Sequence, residues 1–358
     1  MKKKLLGMTP DELKAAAVQA GLPAFTGKQL AQWMYVKRVR SFDQMTNISK
    51  AGRARLAELF DLGVSAPIGM ALSSDGTKKY LFPVSCPKAQ GLDAYEQSRP
   101  EELETAAIEA VMIPDEDRRT LCVSSQSGCR MGCKFCMTGR QGFHGHLSAA
   151  DILSQFIMVD ESLELTNAVF MGMGEPLDNY DNVMRAIEVL TADWGFAWSP
   201  KRITLSSIGV LPNLKRYLDS SRCHLAISLH DPFSEERSSL MPVEKAWKIE
   251  DVVRLIRQYD FSGQRRVSFE YIMFSGLNDT KRHEDALIRL LRGLECRVNL
   301  IRFHKIPDFP YDTSPALVME NFRDRLNAHG ITCTIRASRG EDILAACGML
   351  AGRHGKES

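Results

Sequence analysis

The sequence has no long hydrophobic run and little net charge. No uninterrupted apolar stretch approaches the roughly 20 residues that span a bilayer. The basic start at residues 2–4 is followed by Asp11 and Glu12 before any apolar region of the kind that signal peptides contain. The net charge of only +2 gives by itself no argument for a nucleic-acid partner. We therefore expect a cytoplasmic protein without a membrane segment.

The nine cysteines do not have the pattern of a disulfide framework. Their number is odd, and three of them lie within eight residues. Disulfide frameworks belong to small secreted domains, whereas closely spaced cysteines in a cytosolic chain more often bind metal or take part in catalysis. The 358 residues, 44% hydrophobic and 25% charged, are enough for one large globular domain with an appendage or for two domains.

Positive charge is concentrated in the first part of the chain. Residues 1–62 hold 11 Lys or Arg against 5 Asp or Glu, whereas the remaining residues hold 35 against 39. A basic appendage on a mildly acidic body is typical of a module that binds a polyanion for a catalytic domain, although a solvated basic face has the same composition. Candidates for contact with phosphate groups are Lys28, Lys37, Arg38, Arg40, Lys78 and Lys79.

The apolar pattern divides the chain into three regions. The first predicts short helices, with Thr9 as an N-cap before a proline at the first helical position. The second predicts a β-hairpin around the turn signal Asp75-Gly76, with strands at 68–74 and 77–84, followed by an exposed acidic loop at 86–105. The third alternates between apolar strands and amphipathic helices. We place these regions at 1–62 (helical accessory domain), 63–106 (hairpin and loop linker) and 107–358 (barrel).

The third region predicts an α/β barrel. Alternating strands and helices favour a parallel sheet with helices outside it, and about six βα units make a partial (β/α)6 barrel or a complete barrel. In such folds the chemistry lies at the carboxyl ends of the strands. The predicted strands are 107–113, 120–126, 167–171, 202–206, 224–229, 267–274, 297–303 and 332–337, and the predicted helices are 148–160, 180–191, 211–219, 248–259, 279–292 and 315–329.

Three cysteines with the spacing Cys-x3-Cys-x2-Cys lie directly after one predicted strand. Cys129, Cys133 and Cys136 can hold three irons of a [4Fe–4S] cluster, although most clusters use four cysteines. The fourth iron would stay open for substrate, as in catalytic metal centres, and would bind the amino and carboxylate groups of S-adenosylmethionine. The motif therefore predicts a radical S-adenosylmethionine enzyme. A structural zinc loop with His144 or His146 as fourth ligand is the alternative.

The following strands end in residues that suit the same cofactor. In the segment GMGEP, Gly174 lets the backbone approach a ligand closely, and Glu175 can accept hydrogen bonds from the methionine ammonium group. A serine in ITLSSIG and the run SLH follow the next two predicted strands. We expect the S-adenosylmethionine pocket to include Gly174, Glu175, Ser206, Ser228, Leu229 and His230.

Longer segments resemble the RlmN family of RNA methyltransferases. They are the 36 residues that end at Phe143, the helical N-terminal stretch, and the segments GMGEPLDN, ITLSSIGV, LAISLH, FEYIMFSGLND and SRGEDILAACG. The resemblance covers nearly the whole chain and implies methylation of adenine C2 in 23S rRNA and certain tRNAs, on a base flipped out of its stack. It also implies S-adenosylmethionine as methyl donor and radical source, an electron donor such as flavodoxin or ferredoxin, and a monomer with RNA as its partner.

The resemblance also implies catalytic roles. Cys347 would carry a methyl group that a 5′-deoxyadenosyl radical activates, Glu109 would remove the C2 proton, and Cys122 would resolve the protein–RNA adduct and leave a transient disulfide. His304 stands where the family has an asparagine that contacts the cofactor. Because imidazole can also donate to the ribose or the carboxylate, we expect His304 to make that contact.

Three other functions fit parts of the pattern. Adenine C8 methyltransferases of the Cfr type share the cluster, both catalytic cysteines and the barrel, and the full N-terminal helical domain favours C2 over C8. A radical enzyme that acts on a protein or small molecule would not need Cys122 together with Cys347. A non-enzymatic zinc or iron–sulfur protein that binds RNA would hold its metal without cleaving S-adenosylmethionine.

Overall fold

A mixed β-sheet organises the computed structural model of the protein, which describes residues 2–263 and 265–351. The strands are β1 (Lys3–Lys4), β2 (Phe60–Asp61), β3 (Gly69–Leu72), β4 (Lys78–Pro87), β5 (Leu103–Asp115), β6 (Arg118–Cys122), β7 (Gln126–Gly128), β8 (Phe143–His146), β9 (Asn167–Phe170), β10 (Ile203–Ser207), β11 (His224–Ser228), β12 (Val267–Met273), β13 (Arg297–Arg302) and β14 (Thr332–Ile335). Within these described residues, ten strands form one sheet in the order β14-β13-β12-β11-β10-β9-β6-β5-β4-β3.

The helices follow the strands or precede the sheet. They are α1 (Pro10–Gln19), α2 (Thr26–Ala31), α3 (Lys50–Leu59), α4 (Ala94–Gln97), α5 (Met137–Arg140), α6 (Ala149–Met158), α7 (Tyr180–Thr191), α8 (Leu211–Ser220), α9 (Ser234–Leu240), α10 (Ile249–Ile256), α11 (Lys281–Leu291) and α12 (Ala316–Ala328). A π-helical turn (Gln32–Val36) continues α2, and short 3-10 turns lie at Phe42–Gln44, Pro100–Glu102, Pro200–Arg202, Pro242–Lys245 and Glu341–Ile343. Across the described ranges, no helix is long and apolar enough to cross a bilayer.

The larger part of the sheet is parallel. β6 and the strands from β9 to β14 run in one direction, and a helix lies in each connection between neighbours. Parallel strands covered on both faces are almost continuously apolar, and six of the seven residues of β12 are buried. The predicted α/β fold with six βα units is confirmed. The sheet is open, because β14 and β3 form its two edges in the described chain.

The smaller part of the sheet is an antiparallel extension. β3, β4, β5 and β6 pair in succession, which confirms the predicted hairpin around Asp75 and Gly76. In this ladder Lys79 lies opposite Val111, and Val111 lies opposite Cys122. Residues that pair across strands point to the same face, as do residues two apart on one strand. The side chains of Lys79, Glu109 and Cys122 therefore share one face of the sheet.

The predicted loop at 86–105 is partly wrong, because both hairpin strands continue into it. β4 extends to Pro87, which pairs with Leu103 at the start of β5. Cys86 is fully buried and packs against β8, where a Cβ on Gly145 would lie 2.5 Å from the Cβ of Cys86. The antiparallel ladder therefore continues into the predicted loop. The connection between the two strands contains α4 and a 3-10 turn.

The N-terminal helices begin with the cap that the sequence indicates. Thr9 and Glu12 form a capping box around the start of α1, with the Thr9 amide donating to Glu12 over 2.6 Å. β1 pairs with β2, which closes the helical segment, and Lys4 forms a 2.7 Å ion pair with Asp151 of α6. These contacts hold the N-terminal segment against α6. The domain bounds at 62 and 106 stay a prediction.

Candidate active site

A cavity of about 150 Å³ lies at the carboxyl ends of the parallel strands. This is where the sequence places the chemistry of such a fold. Most of the site residues expected from the sequence line it: Cys129, Cys133, Cys136, Gly174, Glu175, Ser206, Ser228, His230 and Cys347. The fold thus brings together residues from the cysteine loop, three strand ends and the C-terminal segment.

The cysteine loop is closed at its base by the hairpin of β7 and β8. The amide of Cys129 donates to the carbonyl of Gly142 over 2.8 Å. Gly128 has φ +69°, and a Cβ there would lie 2.0 Å from the Gly142 oxygen. Only glycine fits such a close approach in that conformation. The loop is therefore held as a unit, and the predicted strand 120–126 divides into β6 and β7 around it.

The sulfurs of the three loop cysteines are spaced more widely than the ligands of a single zinc ion. In the described part of the chain, their sulfurs do not all come within 4.8 Å of one another, whereas sulfurs around one zinc ion are about 3.8 Å apart. Burial raises the pKa of Cys133 to about 12 and that of Cys129 well above its usual value, and the neighbouring thiols add to both shifts. Buried thiols with raised pKa values need a cationic group to hold them as thiolates.

Neither histidine near the loop completes a zinc site. Both ring nitrogens of His146 have donors close by, the Gln126 amide at 3.2 Å and the Arg130 guanidinium at 3.3 Å. Burial lowers the pKa of His146 to about 4. His144 lies beside Glu104 at 3.7 Å. Within the described residues, neither imidazole lines the cavity, so the zinc-loop alternative loses its fourth ligand.

Glu175 presents a buried carboxylate to the cavity. It accepts backbone hydrogen bonds from Leu177 and Ile208, each of 3.0 Å, and no cationic side chain forms an ion pair with it among the described residues. Burial raises its pKa to about 7. Gly174 gives it this position, because φ is +98° there and a Cβ would lie 2.5 Å from that of Gln126. A buried carboxylate without a counter-charge fits the ammonium group of S-adenosylmethionine.

His230 reaches the cavity as a neutral imidazole. Its backbone has φ +57°, its Nδ1 accepts the Ile272 amide over 3.0 Å, and its ring stands edge-on to Phe135 at 5.0 Å. Burial lowers its pKa to about 3. Because Nδ1 accepts, the proton is on Nε2, which can donate to a ligand.

Two expected cofactor contacts lie outside the cavity lining. Leu229 is fully buried, and His304 lies 3.1 Å from the Ser338 hydroxyl and 3.3 Å from the Glu341 carboxylate. Neither is among the described residues that line the cavity. Their role in binding the cofactor stays a prediction that this geometry does not support.

The sequence did not indicate Arg237, which supports the strand ends from behind. Its guanidinium is fully buried, pairs with Glu244, and donates to the carbonyl groups of Ser228 and Leu229 over 2.8 Å and of Ile208 over 3.3 Å. It therefore joins the ends of β10 and β11. A charged residue in a short polar helix reads from sequence as exposed, so no local signal marks this one.

Cys122 and Cys347 lie near a second arginine that the sequence did not indicate. Cys122 is buried and Cys347 is exposed at the cavity. Burial and the nearby Cys347 raise the pKa of Cys122 to about 12, and Arg336 opposes that shift. The Arg336 guanidinium lies 3.4 Å from both Glu270 and the Met171 sulfur. The fold thus places the two cysteines within electrostatic range of each other and of one cation.

Hydrogen bonds hold the segment that carries Cys347 against the cysteine loop. The amide of Met137 donates to the carbonyl of Gly348 over 2.8 Å. The hydroxyl of Thr138 donates to the carbonyl of Leu350 over 2.7 Å. The side chain of Gln141 donates to the carbonyl of Ala351, also over 2.7 Å. All three donors lie within or next to α5, directly after the last loop cysteine.

Glu109 also contacts this segment. Its carboxylate is buried, forms a 3.0 Å ion pair with Lys79, and accepts the amide of Ala351 over 2.9 Å. The ion pair removes Lys79 from the residues free to contact phosphate. Glu109 is not in the cavity lining of the described chain, so its role as a base stays a prediction.

Most of the other basic residues also have partners within the protein. Lys78 pairs with Asp160 and Glu161. Lys37 and Arg38 lie over aromatic rings, at 3.7 Å and 4.2 Å from the ring centres, and the Arg40 guanidinium donates to a backbone carbonyl. Contacts with RNA phosphates stay untested.

Two family models match the chain. The model described as the radical SAM superfamily matches residues 123–287, which include the cysteine loop and the strand ends up to β12. The model described as the ribosomal RNA large subunit methyltransferase N-terminal domain matches residues 3–62.

Curated relatives match over nearly their full lengths. A protein of Porphyromonas gingivalis named "Probable dual-specificity RNA methyltransferase RlmN" is 58% identical over 97% of this chain and 96% of its own. A protein of Syntrophus aciditrophicus named "Dual-specificity RNA methyltransferase RlmN" is 38% identical over 97% and 95%. The crystal structure of a radical SAM methyltransferase from Sphaerobacter thermophilus covers 98% of this chain and 100% of its own, with 35% identity and a TM-score of 0.88.

Proposed function

The chain belongs to the RlmN family of radical S-adenosylmethionine RNA methyltransferases, and from that premise we propose that it methylates C2 of adenine in 23S rRNA and in tRNA. The observation that carries the proposal is one cavity that joins the three-cysteine loop, the buried Glu175 carboxylate and Cys347. The match of residues 3–62 to the ribosomal RNA methyltransferase N-terminal domain favours C2 over C8.

The family's cofactors have residues that suit them here. Cys129, Cys133 and Cys136 would hold the [4Fe–4S] cluster, and Glu175 would bind the ammonium group of S-adenosylmethionine. When bound, the cluster and S-adenosylmethionine supply a one-electron reduction that ends in removal of a hydrogen atom from a methyl group. His230 would donate from Nε2 to the same ligand.

Cys347 would carry the methyl group because it is the exposed thiol at the cavity. Adenine C2 lies between two ring nitrogens and is electron-poor, so it does not displace a methyl group as an amine would. A thiolate does: the Cys347 thiol would lose its proton, and its sulfur would take the methyl group from the sulfonium of S-adenosylmethionine, which leaves as S-adenosylhomocysteine. Removal of one hydrogen atom then lets the S–CH2 carbon bond to C2, which links the protein to the RNA.

Cys122 would release the product from this adduct. Glu109 would take the proton from C2, and the unpaired electron of the adduct would pass to a one-electron acceptor, such as the oxidised form of the electron donor. The Cys122 thiolate would then attack the Cys347 sulfur. The S–S bond forms as the S–CH2 bond breaks, and the carbon receives the electron pair and a proton to become the methyl group. The disulfide returns to two thiols by accepting two electrons from an external thiol reductant.

RNA is the proposed partner, with flavodoxin or ferredoxin as electron donor, a monomeric chain and a cytoplasmic location. The direct test is nucleoside mass spectrometry after anaerobic reconstitution with S-adenosylmethionine, a reductant and unmethylated 23S rRNA or tRNA. A 2-methyladenosine peak that disappears in Cys347→Ala supports the proposal. An 8-methyladenosine peak would instead place the enzyme with the C8 methyltransferases, and 5′-deoxyadenosine without any methyladenosine would contradict an RNA substrate.

A variant at the second cysteine tests the order of steps. Cys122→Ala should accumulate a covalent protein–RNA adduct on a denaturing gel, because the thiol that releases the product is missing. Normal turnover without an adduct would remove Cys122 from the mechanism.

A further inference from the structure

Asp231, Glu236 and His283 form a cluster that the proposed catalysis does not use. Asp231 follows β11, Glu236 lies in α9, and His283 lies in the first turn of α11. One ligand atom from each side chain lies within 4.8 Å of the other two. In the described structure, none of the three lines the cavity that contains Cys347. Three elements thus bring metal-ligating side chains together outside the candidate active site.

Asp231 has a buried oxygen without a donor. Its side chain is fully buried, and Oδ1 accepts the amide of Phe233 over 2.8 Å. Oδ2 has no hydrogen-bond partner among the described residues and points towards His283, with Nε2 at 3.9 Å. A buried carboxylate oxygen without a proton donor or a cation is costly. Its position therefore indicates a positively charged ligand.

His283 is oriented as a ligand. Its Nδ1 lies 2.7 Å from the hydroxyl of Thr280, which holds the ring and leaves Nε2 facing the two carboxylates. Nε2 lies 2.8 Å from Glu236 Oε2. A single proton on Nε2 can form a hydrogen bond with Glu236, which leaves Asp231 Oδ2 without a donor. A hydrogen bond from the second ring nitrogen is the usual support of a metal-bound histidine.

We propose that Asp231, Glu236 and His283 bind a divalent transition-metal cation, Zn²⁺ or Mn²⁺. The 2.8 Å and 3.9 Å separations lie on either side of the roughly 3.3 Å between ligand atoms in a tetrahedral nitrogen and oxygen site. Imidazole with carboxylates suits both ions. Arg282 pairs with Glu236, so two carboxylates and one guanidinium leave one net negative charge for the cation.

The cation would join the turn after β11 to α11. His230, the neighbour of Asp231, lines the candidate active site, and Asn278 donates to its carbonyl over 2.7 Å. The metal therefore has a positioning role: it holds the turn that presents His230, and it takes no part in bond formation. It is separate from the iron–sulfur cluster, because, among the residues described, none of its three ligands lines the cavity that contains the loop cysteines.

Metal binding by the full-length enzyme tests the proposal. The cluster is reconstituted, loosely bound metals are removed with a weak chelator, and Zn²⁺ or Mn²⁺ is added separately in equilibrium dialysis, followed by elemental analysis. We expect about one additional Zn²⁺ or Mn²⁺ per chain in the wild type and none in Asp231→Asn or Glu236→Gln. Thr280→Val should weaken binding by roughly 10- to 100-fold, because only the support of the imidazole is lost.

Matched variants make the result decisive. Glu235→Gln, an exposed neighbour in α9, should bind as the wild type does. Glu236 has a side chain that is 31% exposed, so Glu236→Gln serves if Asp231→Asn does not fold. Added cation should raise the melting temperature of the wild type but not of Glu236→Gln. Equal Zn²⁺ and Mn²⁺ content in the wild type and Glu236→Gln would overturn the proposal, since cysteine binding is the same in both.

Discussion

Two groups of cysteines lie in or beside one cavity, and the fold assembles them in different ways. Cys129, Cys133 and Cys136 come from a single loop whose base is closed by the hairpin of β7 and β8. Cys122 and Cys347 come from the first parallel strand and the C-terminal segment. The first group depends on local chain geometry, and the second on contacts between distant parts of the sequence.

The difference shows which substitutions should disturb each group of cysteines. The loop cysteines are close in sequence, and the hairpin closes the base of their loop, so their arrangement depends mainly on nearby residues. The distant pair depends on hydrogen bonds from α5 and on Glu109, which hold the C-terminal segment. Since α5 directly follows the loop, the two groups are also joined, and substitutions can test them separately or at their junction.

The largest effects on activity should come from substituting one cysteine in each group and comparing the two variants. Cys133→Ala should lose the cluster, with methylation and cleavage of S-adenosylmethionine both below detection. Cys347→Ala should lose methylation but keep the cluster absorbance, because the loop is unchanged. Cys296→Ala, at a half-buried cysteine outside the cavity lining, is the control. Loss of the cluster in Cys347→Ala would contradict the independence of the two groups.

The next effect should fall on the distant pair alone. In Lys79→Met the buried Glu109 carboxylate loses its ammonium partner, so the ion pair that fixes its position is missing. Methylation should fall by roughly 10²-fold, as for loss of a general base. Release of 5′-deoxyadenosine should be unaffected, and Lys79→Arg should restore methylation. Equal decreases in methylation and in 5′-deoxyadenosine release would indicate that Lys79 has only a structural role.

A third test measures how binding of S-adenosylmethionine at Glu175 depends on pH. Burial raises the pKa of Glu175 to about 7, and the ammonium group of S-adenosylmethionine binds the ionised form. Below this pKa, binding must first release the carboxyl proton, so the dissociation constant should rise about 10-fold for each unit of decreasing pH. Above it, binding should be constant. Equilibrium binding across neutral pH gives the profile, and Glu175→Gln should remove the pH dependence. A wild-type profile without a break would refute the assignment.

The smallest effect is expected at the junction of the two groups. Thr138→Val removes one hydrogen bond to the carbonyl of Leu350, worth about 1 kcal/mol. The C-terminal segment should open roughly five-fold more often, which hydrogen–deuterium exchange of the Ala351 amide, bonded to Glu109, can follow as a rate. Thr138→Ser should restore the wild-type rate. An unchanged rate would show that the remaining hydrogen bonds hold the segment without Thr138.

Features within one stretch of chain were predictable. The helix predicted at 180–191 is α7 (Tyr180–Thr191), and the strand predicted at 167–171 is β9 (Asn167–Phe170), because period and turn signals are local. The cysteine spacing located the cluster loop for the same reason. The loop prediction at 86–105 was partly wrong, since polar residues there pair across β4 and β5.

Features that depend on register or on distant partners were not predictable. The pairing of Lys79 with Glu109 requires the antiparallel register of β4 and β5, which neither strand's own pattern contains. Cys347 was assigned by resemblance, because a lone cysteine near the end of a chain has no local signature. Arg237 was missed because burial of a charge depends on the partner that meets it.

The ion pair between Arg237 and Glu244 also restricts how this protein can diverge. Both side chains are fully buried, and losing one partner of such a pair typically costs about 3–5 kcal/mol because the other is left uncompensated. That is a large share of a typical domain's stability of about 5–15 kcal/mol. A descendant lineage that changes one of these two positions passes through a weakened intermediate unless the second changes with it. We therefore expect the two positions to vary together or not at all.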